Sequence, residues 1–402
     1  MSYEPSFWDD PEKLEFKAVV ERVDEDRVVL SETYFHPEGG GQPADKGTIG
    51  GMVVADVQKG DGEIVHHVED HKFSKGDEVQ GKIDQKFRIY CMRAHTGSHI
   101  VYGAARRVLG KVDYSGFEIG EESCRIDFET ETHVDRGKLL ALEKAANRAV
   151  LKALPVNTYM VGRDGLADID DLAFAKELPD EEEVRVVDIQ GLDRATCSGT
   201  HLSNTIEVGR INVLSKKKLQ EGVTRVEFCT GVKALAEDYK EKGWLLGTSE
   251  MLETAPSGLV EKIRGFMDEL EDCREKVMEL KEENLKRSID GLREEKIGEY
   301  TLRIGTLETD DTEALSRVVK DSCGVGEIIS VVIDGSRPSL VVCVDEDIDE
   351  VSAGDIITEV IGEFGGGGGG TDRFAQGGGF DSEEVELERS VSSSIERLLI
   401  SE

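Results

Sequence analysis

No CxxC spacing occurs in this sequence, and its seven cysteines (Cys91, Cys124, Cys197, Cys229, Cys273, Cys323 and Cys343) are odd in number and widely scattered. That argues against a disulfide framework. Also missing is any apolar run approaching the roughly 20 residues of a membrane span, so no membrane partner is expected. The opening MSYEPSFWDDPEKLEF lacks the basic and apolar regions of a signal peptide. Together these absences lead us to expect a reduced, cytosolic protein. Positive charge is scarce too: 49 Lys and Arg face 84 Asp and Glu, a net charge of −35, which argues against a polyanionic partner unless the charge is segregated. Local basic clusters do exist. Arg93, Arg106, Arg107 and Lys111 surround one histidine pair, and Lys216, Lys217, Lys218 and Arg225 follow a second motif.

Those two motifs are His95-Thr96-Gly97-Ser98-His99 and Cys197-Ser198-Gly199-Thr200-His201. Each places two soft donors four residues apart, and on a helix of about 3.6 residues per turn such donors share one face. Two imidazoles from one element with a thiolate and an imidazole from another make a zinc site. The pairs lie about a hundred residues apart, unlike the short loops of a structural zinc ribbon, which favours a cleft between elements. The small polar residues between the donors leave room beside the ion for a reacting group.

The chain is long enough, at 402 residues, for several domains. From Phe16 to about Lys86, the short runs FKAVVERV, RVVLSET, GMVVADVQ, EIVHHVE and DEVQGKI predict a small antiparallel barrel over 1–88. Inside it sits His36-Pro37-Glu38-Gly39-Gly40-Gly41-Gln42-Pro43, where the glycines permit positive φ and Gln42 offers a donor and an acceptor. His66, His67 and His71 fail the spacing of a second metal site and are expected to be solvated strand residues.

An α+β domain is expected over 89–232. It has a helix through HTGSHIVYGAARRVLG closed by Gly110, a second over GKLLALEKAANRAVLKAL, and strands at SCRIDFE, EVRVVDIQ, EVGRINVLSKKKL and TRVEFCTG. Cys197 and His201 fall in a loop. A helical connector over 233–298 carries Leu259, Ile263, Phe266, Leu270, Cys273, Val277 and Leu280 at alternating steps of four and three, the seam of a coiled coil or helical hairpin and a possible self-association face. An α/β unit over 299–402 contains two glycine clusters bracketing Thr371-Asp372-Arg373-Phe374-Ala375-Gln376. Exposed amides there, with Arg373, could hold phosphate.

HTGSH, CSGTH, HPEGGGQPADKG and FAQGGG occur in the order and approximate spacing of the editing and C-terminal regions of alanyl-tRNA synthetases. The whole chain resembles AlaX, the free-standing alanyl-tRNA editing protein, in its long form with a C-terminal DHHA1-type domain. The resemblance implies an α+β multidomain protein: an antiparallel β-barrel, a zinc-containing editing domain, a helical connector and a DHHA1-like domain, without an aminoacylation domain. It implies a trans-editing hydrolase that removes Ser, or Gly, from mischarged tRNA(Ala). The physical need is that an alanine pocket rejects a hydroxyl-bearing near-isostere by only about a hundredfold.

By the same resemblance His95, His99, Cys197 and His201 are the Zn²⁺ ligands and, with Gln42, the catalytic set. The ion would either activate water or orient the substrate's amino group. Gly40, Gly41, Gln42 and Thr200 would bind substrate. Where relatives carry a Gln or Thr linked to sensing the seryl hydroxyl, this chain reads Lys111-Val112-Asp113-Tyr114-Ser115-Gly116, so Asp113 or Tyr114 takes that place. Arg106, Arg107, Lys216, Lys217 and Arg373 are the candidate tRNA contacts, and a homodimer through the connector or the C-terminal domain is expected. Two other functions fit parts of the pattern. One is a non-catalytic, zinc-stapled tRNA-binding or assembly protein. The other is a DHHA1-associated phosphoesterase, disfavoured because no DHH triad precedes that domain.

Overall fold

The computed structural model describes residues 5–60, 62–170, 172–173, 182–309, 311–334 and 338–400. The chain divides into two compact units, Met1–Met251 and Leu252–Glu402, and is α+β throughout.

The first unit opens with a seven-stranded antiparallel sheet. Its edge strands are Met52–Val54 and Asp56–Gly60. These are consecutive in the chain, joined only through Ala55, whose N–H donates to the His67 carbonyl at 2.8 Å. The sheet is therefore a nearly closed form of the small antiparallel barrel expected from the strand spacing: one bent stretch of backbone serves both edges. The strand Glu15–Asp24 alternates exposed and buried residues over its first half, as a sheet with one face on a core must, and Phe16, Ala18 and Val20 enter that core.

His66 departs from the expected solvation. The strand Glu63–His67 turns alternate residues inward, and His66 is completely buried while His67 stays half-buried. Both ring nitrogens are satisfied: Nδ1 lies 3.0 Å from the Val28 carbonyl and Nε2 2.8 Å from Thr33 Oγ1. Thr33 supplies the inward hydroxyl that makes the imidazole tolerable in the core. Burial lowers the His66 pKa from 6.5 to about 4. Between those values the unfolded chain binds a proton that the folded chain refuses, so this contribution to stability is complete above pH 6.5 and shrinks as pH falls towards 4. Urea unfolding is expected to show a lower midpoint at pH 5 than at pH 7, and His66→Gln is expected to flatten that difference. An unchanged difference in the variant would place the titration elsewhere.

Helix α1 (Gln85–Leu109) runs through the centre of the unit. Asp84 caps its first turn by accepting from Phe87 N–H, and Gly110, at φ 85°, ends it as the sequence predicts. Its residues from Ala94 to Ala105 are all buried. One side meets the antiparallel sheet made of Asp113–Ile119, Cys124–Glu129, Ile211–Gln220 and Val223–Thr230, and another meets α2 (Arg136–Leu151). A three-stranded sheet, Val156–Gly162, Glu183–Ile189 and Asp193–Thr196, completes the fold around the helix. Arg88 ties α1 to the first sheet through a fully buried ion pair with Asp45. Helix α3 (Gly231–Met251) closes the unit.

The second unit begins after a short turn with α4 (Leu259–Asp290). Along the expected seam, Leu259 is buried while Ile263, Phe266, Leu270, Cys273, Val277 and Leu280 are exposed; beyond it, Leu285 and Ile289 near the end of the helix pack against α5 (Thr312–Ser322). The six-stranded sheet is mixed, with Tyr300–Glu308 parallel to Glu327–Asp334 and the remaining pairs antiparallel. Helices α6 (Ala353–Phe364) and α7 (Glu384–Ile400) pack on its core. Within the glycine run, Gly367–Gly370 is an edge strand paired with Phe374–Gly378. Close pairing excludes side chains, since a Cβ on Gly368 would lie 2.4 Å from the Gln376 carbonyl oxygen.

Candidate metal centre

His95, His99, Cys197 and His201 come together in the first unit, with their donor atoms all within 4.8 Å of one another. Among the described residues this is the one such grouping. His95 and His99 sit one turn apart on α1, as the spacing predicts, with their rings stacked at 5.8 Å. Cys197 and His201 lie instead on the irregular segment after the strand Asp193–Thr196, so the helical argument holds for the first pair only. The Cys197 sulfur lies 3.2 Å from Nε2 of both His95 and His201.

Every imidazole is held from behind. His95 Nδ1 donates to Gln42 Oε1 at 2.9 Å, His99 Nδ1 to Asp193 Oδ2 at 2.7 Å, and His201 Nδ1 lies 3.3 Å from Thr96 Oγ1. Anchoring Nδ1 fixes the tautomer that presents Nε2 to the centre, the arrangement found around metal-ligating histidines. Gln42 reaches this position because Gly40 and Gly41 take φ of 58° and 79°, turning the chain so tightly that Gly39 and Gln42 exchange hydrogen bonds of 3.0 Å. Its amide also accepts from Thr200 N–H and donates to Thr200 Oγ1, tying the glycine turn to the cysteine loop. Gly199 packs against the His95 ring, where a Cβ would stand 2.2 Å from Cε1.

A cation entering the cluster would meet a thiolate at Cys197 and would have to displace the proton of His99. Burial pushes the Cys197 thiol up, but the imidazoles of His95 and His201 and their hydrogen bonds outweigh it and hold the pKa well below the ordinary thiol value. The thiolate is the form that binds metal. Burial pulls His99 down, yet its hydrogen bonds to Asp193 and Cys197 raise it to about 10, and burial lowers His201 to about 3, keeping it neutral. Asp193 Oδ1, also buried, has no hydrogen-bond partner among the described residues. Four mixed N and S donors, three of them oriented through their far nitrogens, fit a divalent ion of zinc's preferences.

The cluster opens on a cavity of about 640 Å³ lined by His95, His99 and Cys197 together with Trp8, Tyr114 and Phe117. Gly40 borders this cavity, whereas Thr200 is wholly buried behind it and Asp113 faces outward on its strand. Tyr114 is half-buried, and burial raises its pKa to about 12. The basic candidates are dispersed: Arg107 donates to the Gly191 carbonyl, Lys216 to the Val134 carbonyl, Lys217 is exposed, and Arg106 is half-buried near the end of α1. In the second unit Arg373 donates to the Asp345 and Ile348 carbonyls and pairs with Asp349 at 2.7 Å. Sequence reasoning did not single out Asp193, Arg185 or Trp8. A charge set in the apolar run of EVRVVDI is the signal that could have found Arg185.

Residues 5–87 match the family of class II (A) tRNA synthetases, and residues 184–227 match the threonyl and alanyl tRNA synthetase second additional domain. The chain is 32% identical over 405 residues to the alanine–tRNA ligase of Methanopyrus kandleri, covering 96% of this chain and 44% of the ligase. It is 34% identical over 403 residues to that of Methanosarcina barkeri, covering 95% and 43%. The C-Ala domain from Aquifex aeolicus alanyl-tRNA synthetase is 26% identical, covers 27% of this chain and 98% of that domain, and superposes with a TM-score of 0.25. The chain thus spans under half the length of the ligases it matches. Over nearly its whole sequence the chain is similar to alanyl-tRNA synthetases. Among the described residues no helix is long and apolar enough to cross a membrane.

Proposed function

We propose that the chain is a cytoplasmic, zinc-dependent aminoacyl-tRNA deacylase that hydrolyses the ester of Ser-tRNA(Ala) in trans, with Gly-tRNA(Ala) as a second substrate. One observation carries this reading: a buried cluster of His95, His99, Cys197 and His201, its rings locked by Gln42, Asp193 and Thr96, opens on a cavity large enough for a ligand. The relationship to alanyl-tRNA synthetases and to their second additional domain supports a tRNA-related role. Zinc held by the four residues would supply Lewis-acid activation of water or of the ester.

The chain's own residues define the rest. Gln42 and Asp193 keep His95 and His99 in register, so that the ester enters a preset frame. Tyr114, on the cavity wall, is positioned to meet the seryl hydroxyl better than the outward Asp113. Gly40 and Gly41 let backbone approach the substrate. Arg106, Arg107, Lys216, Lys217 and Arg373 are assigned to the tRNA body. The functional division into 1–88, 89–232, 233–298 and 299–402 and a homodimer through the exposed α4 seam or the C-terminal unit belong to the same proposal.

Purified protein with zinc should deacylate Ser-tRNA(Ala) well above background and leave Ala-tRNA(Ala) at background. Equal decay of both esters would remove the specificity. Tight tRNA binding without hydrolysis would favour the zinc-stapled binding protein instead.

A further inference from the structure

Arg185 lies in the middle of the three-stranded sheet and is 6% exposed. Burying a guanidinium is costly unless its charge is matched. Arg88, also deeply buried, meets that need with Asp45. Arg185 does not: among the described residues it has no carboxylate partner. Its Nη1 donates to the carbonyls of Cys197 and Gly199 at 3.1 and 2.9 Å, the Trp8 ring lies over the guanidinium at 5.5 Å, and Nε and Nη2 make no hydrogen bond among the described residues. The side chain borders the same cavity as the cluster.

Resting on the deacylase reading, we infer that Arg185 is the anion-binding residue of this cavity and takes the phosphodiester on the 5′ side of the esterified nucleotide. An aminoacyl ester carries no carboxylate, so the negative charge nearest the reacting bond is that phosphate. A guanidinium presents its N–H groups as a fork matched to phosphate oxygens. Holding the carbonyl of Cys197 sets the cation beside the segment that carries the cluster sulfur. Trp8 and Phe117 on the same walls offer faces on which a base can stack. In a chain of net charge −35, a buried cation with no carboxylate partner beside the reacting centre is also what a polyanion's end would need.

The competing role is a brace: Arg185 could serve only to hold the Cys197–Gly199 loop through its two carbonyl contacts. Calorimetric binding of 5′-AMP and of adenosine to the zinc-loaded full chain separates the two. The wild type is expected to bind AMP about tenfold or more tightly than adenosine, the scale of a charge-assisted pair. Arg185→Gln should bring the two to parity with adenosine affinity unchanged, and Arg185→Lys should keep part of the preference. Equal affinities in the wild type, no AMP binding, a preference that survives Arg185→Gln, or equal loss of both ligands would each overturn the assignment. A phosphate preference that behaves as expected in a protein unable to deacylate Ser-tRNA(Ala) would count against the deacylase reading alone.

Discussion

His95→Ala is expected to leave a folded protein that holds zinc poorly and has lost Ser-tRNA(Ala) deacylation by about a thousandfold or more, since removing metal assistance withdraws several kcal/mol of transition-state stabilisation. The size of the effect follows from the position of His95. Its ring lies 3.2 Å from the Cys197 sulfur and 4.5 Å, centre to centre, from His201, and its Nδ1 terminates the Gln42 network. Deleting it removes a donor, strips the thiolate of one of the two imidazoles that hold its pKa down, and leaves Gln42 Oε1 with Thr200 N–H alone. Because zinc binds the folded state, the wild type should gain thermal stability on adding zinc and the variant should gain little. A variant that retains both zinc and full activity would remove His95 from the centre.

The second large effect is expected at a residue with no side chain. Gly199→Ala places a methyl carbon 2.2 Å from His95 Cε1, 2.3 Å from His95 Nδ1 and 2.9 Å from Gln42 Oε1. None of these atoms can yield cheaply. The ring is fixed by its hydrogen bond to Gln42, and Gln42 is fixed by two contacts to Thr200. The ring must therefore rotate out of register, and zinc affinity measured by chelator competition should fall by about 10–100-fold, the range found when a ligand's supporting shell is disturbed. Gly39→Ala is the control: nothing lies within 4 Å of its added carbon, and its affinity should match the wild type. Equal affinities for Gly199→Ala and wild type would mean that the ring has room the structure does not give it.

Much of this architecture was readable from residues alone, for identifiable reasons. The 3.6-residue repeat and Gly110 delimit α1, the alternating runs mark the strands of the first sheet, and two donor pairs identify the cluster because soft donors are few and the spacing is strict. What escaped depends on contacts across the chain. Asp193 supports His99 from 94 residues away, and no local pattern encodes that meeting. His66 looked like a solvated strand residue because only the folded sheet brings Thr33 and the Val28 carbonyl to its ring. The glycine run carries no strand signal of its own because strand propensity resides in side chains, whereas here the backbone ladder with Phe374–Gly378 makes the strand and the closeness of the pairing keeps side chains out.

Zinc K-edge X-ray absorption on the purified full chain tests the central claim most directly. One sulfur at about 2.3 Å with nitrogen donors at about 2.0–2.1 Å is the shell that Cys197 and the three histidines must produce. A shell without sulfur, or a protein that carries no zinc and is fully active, would contradict the account.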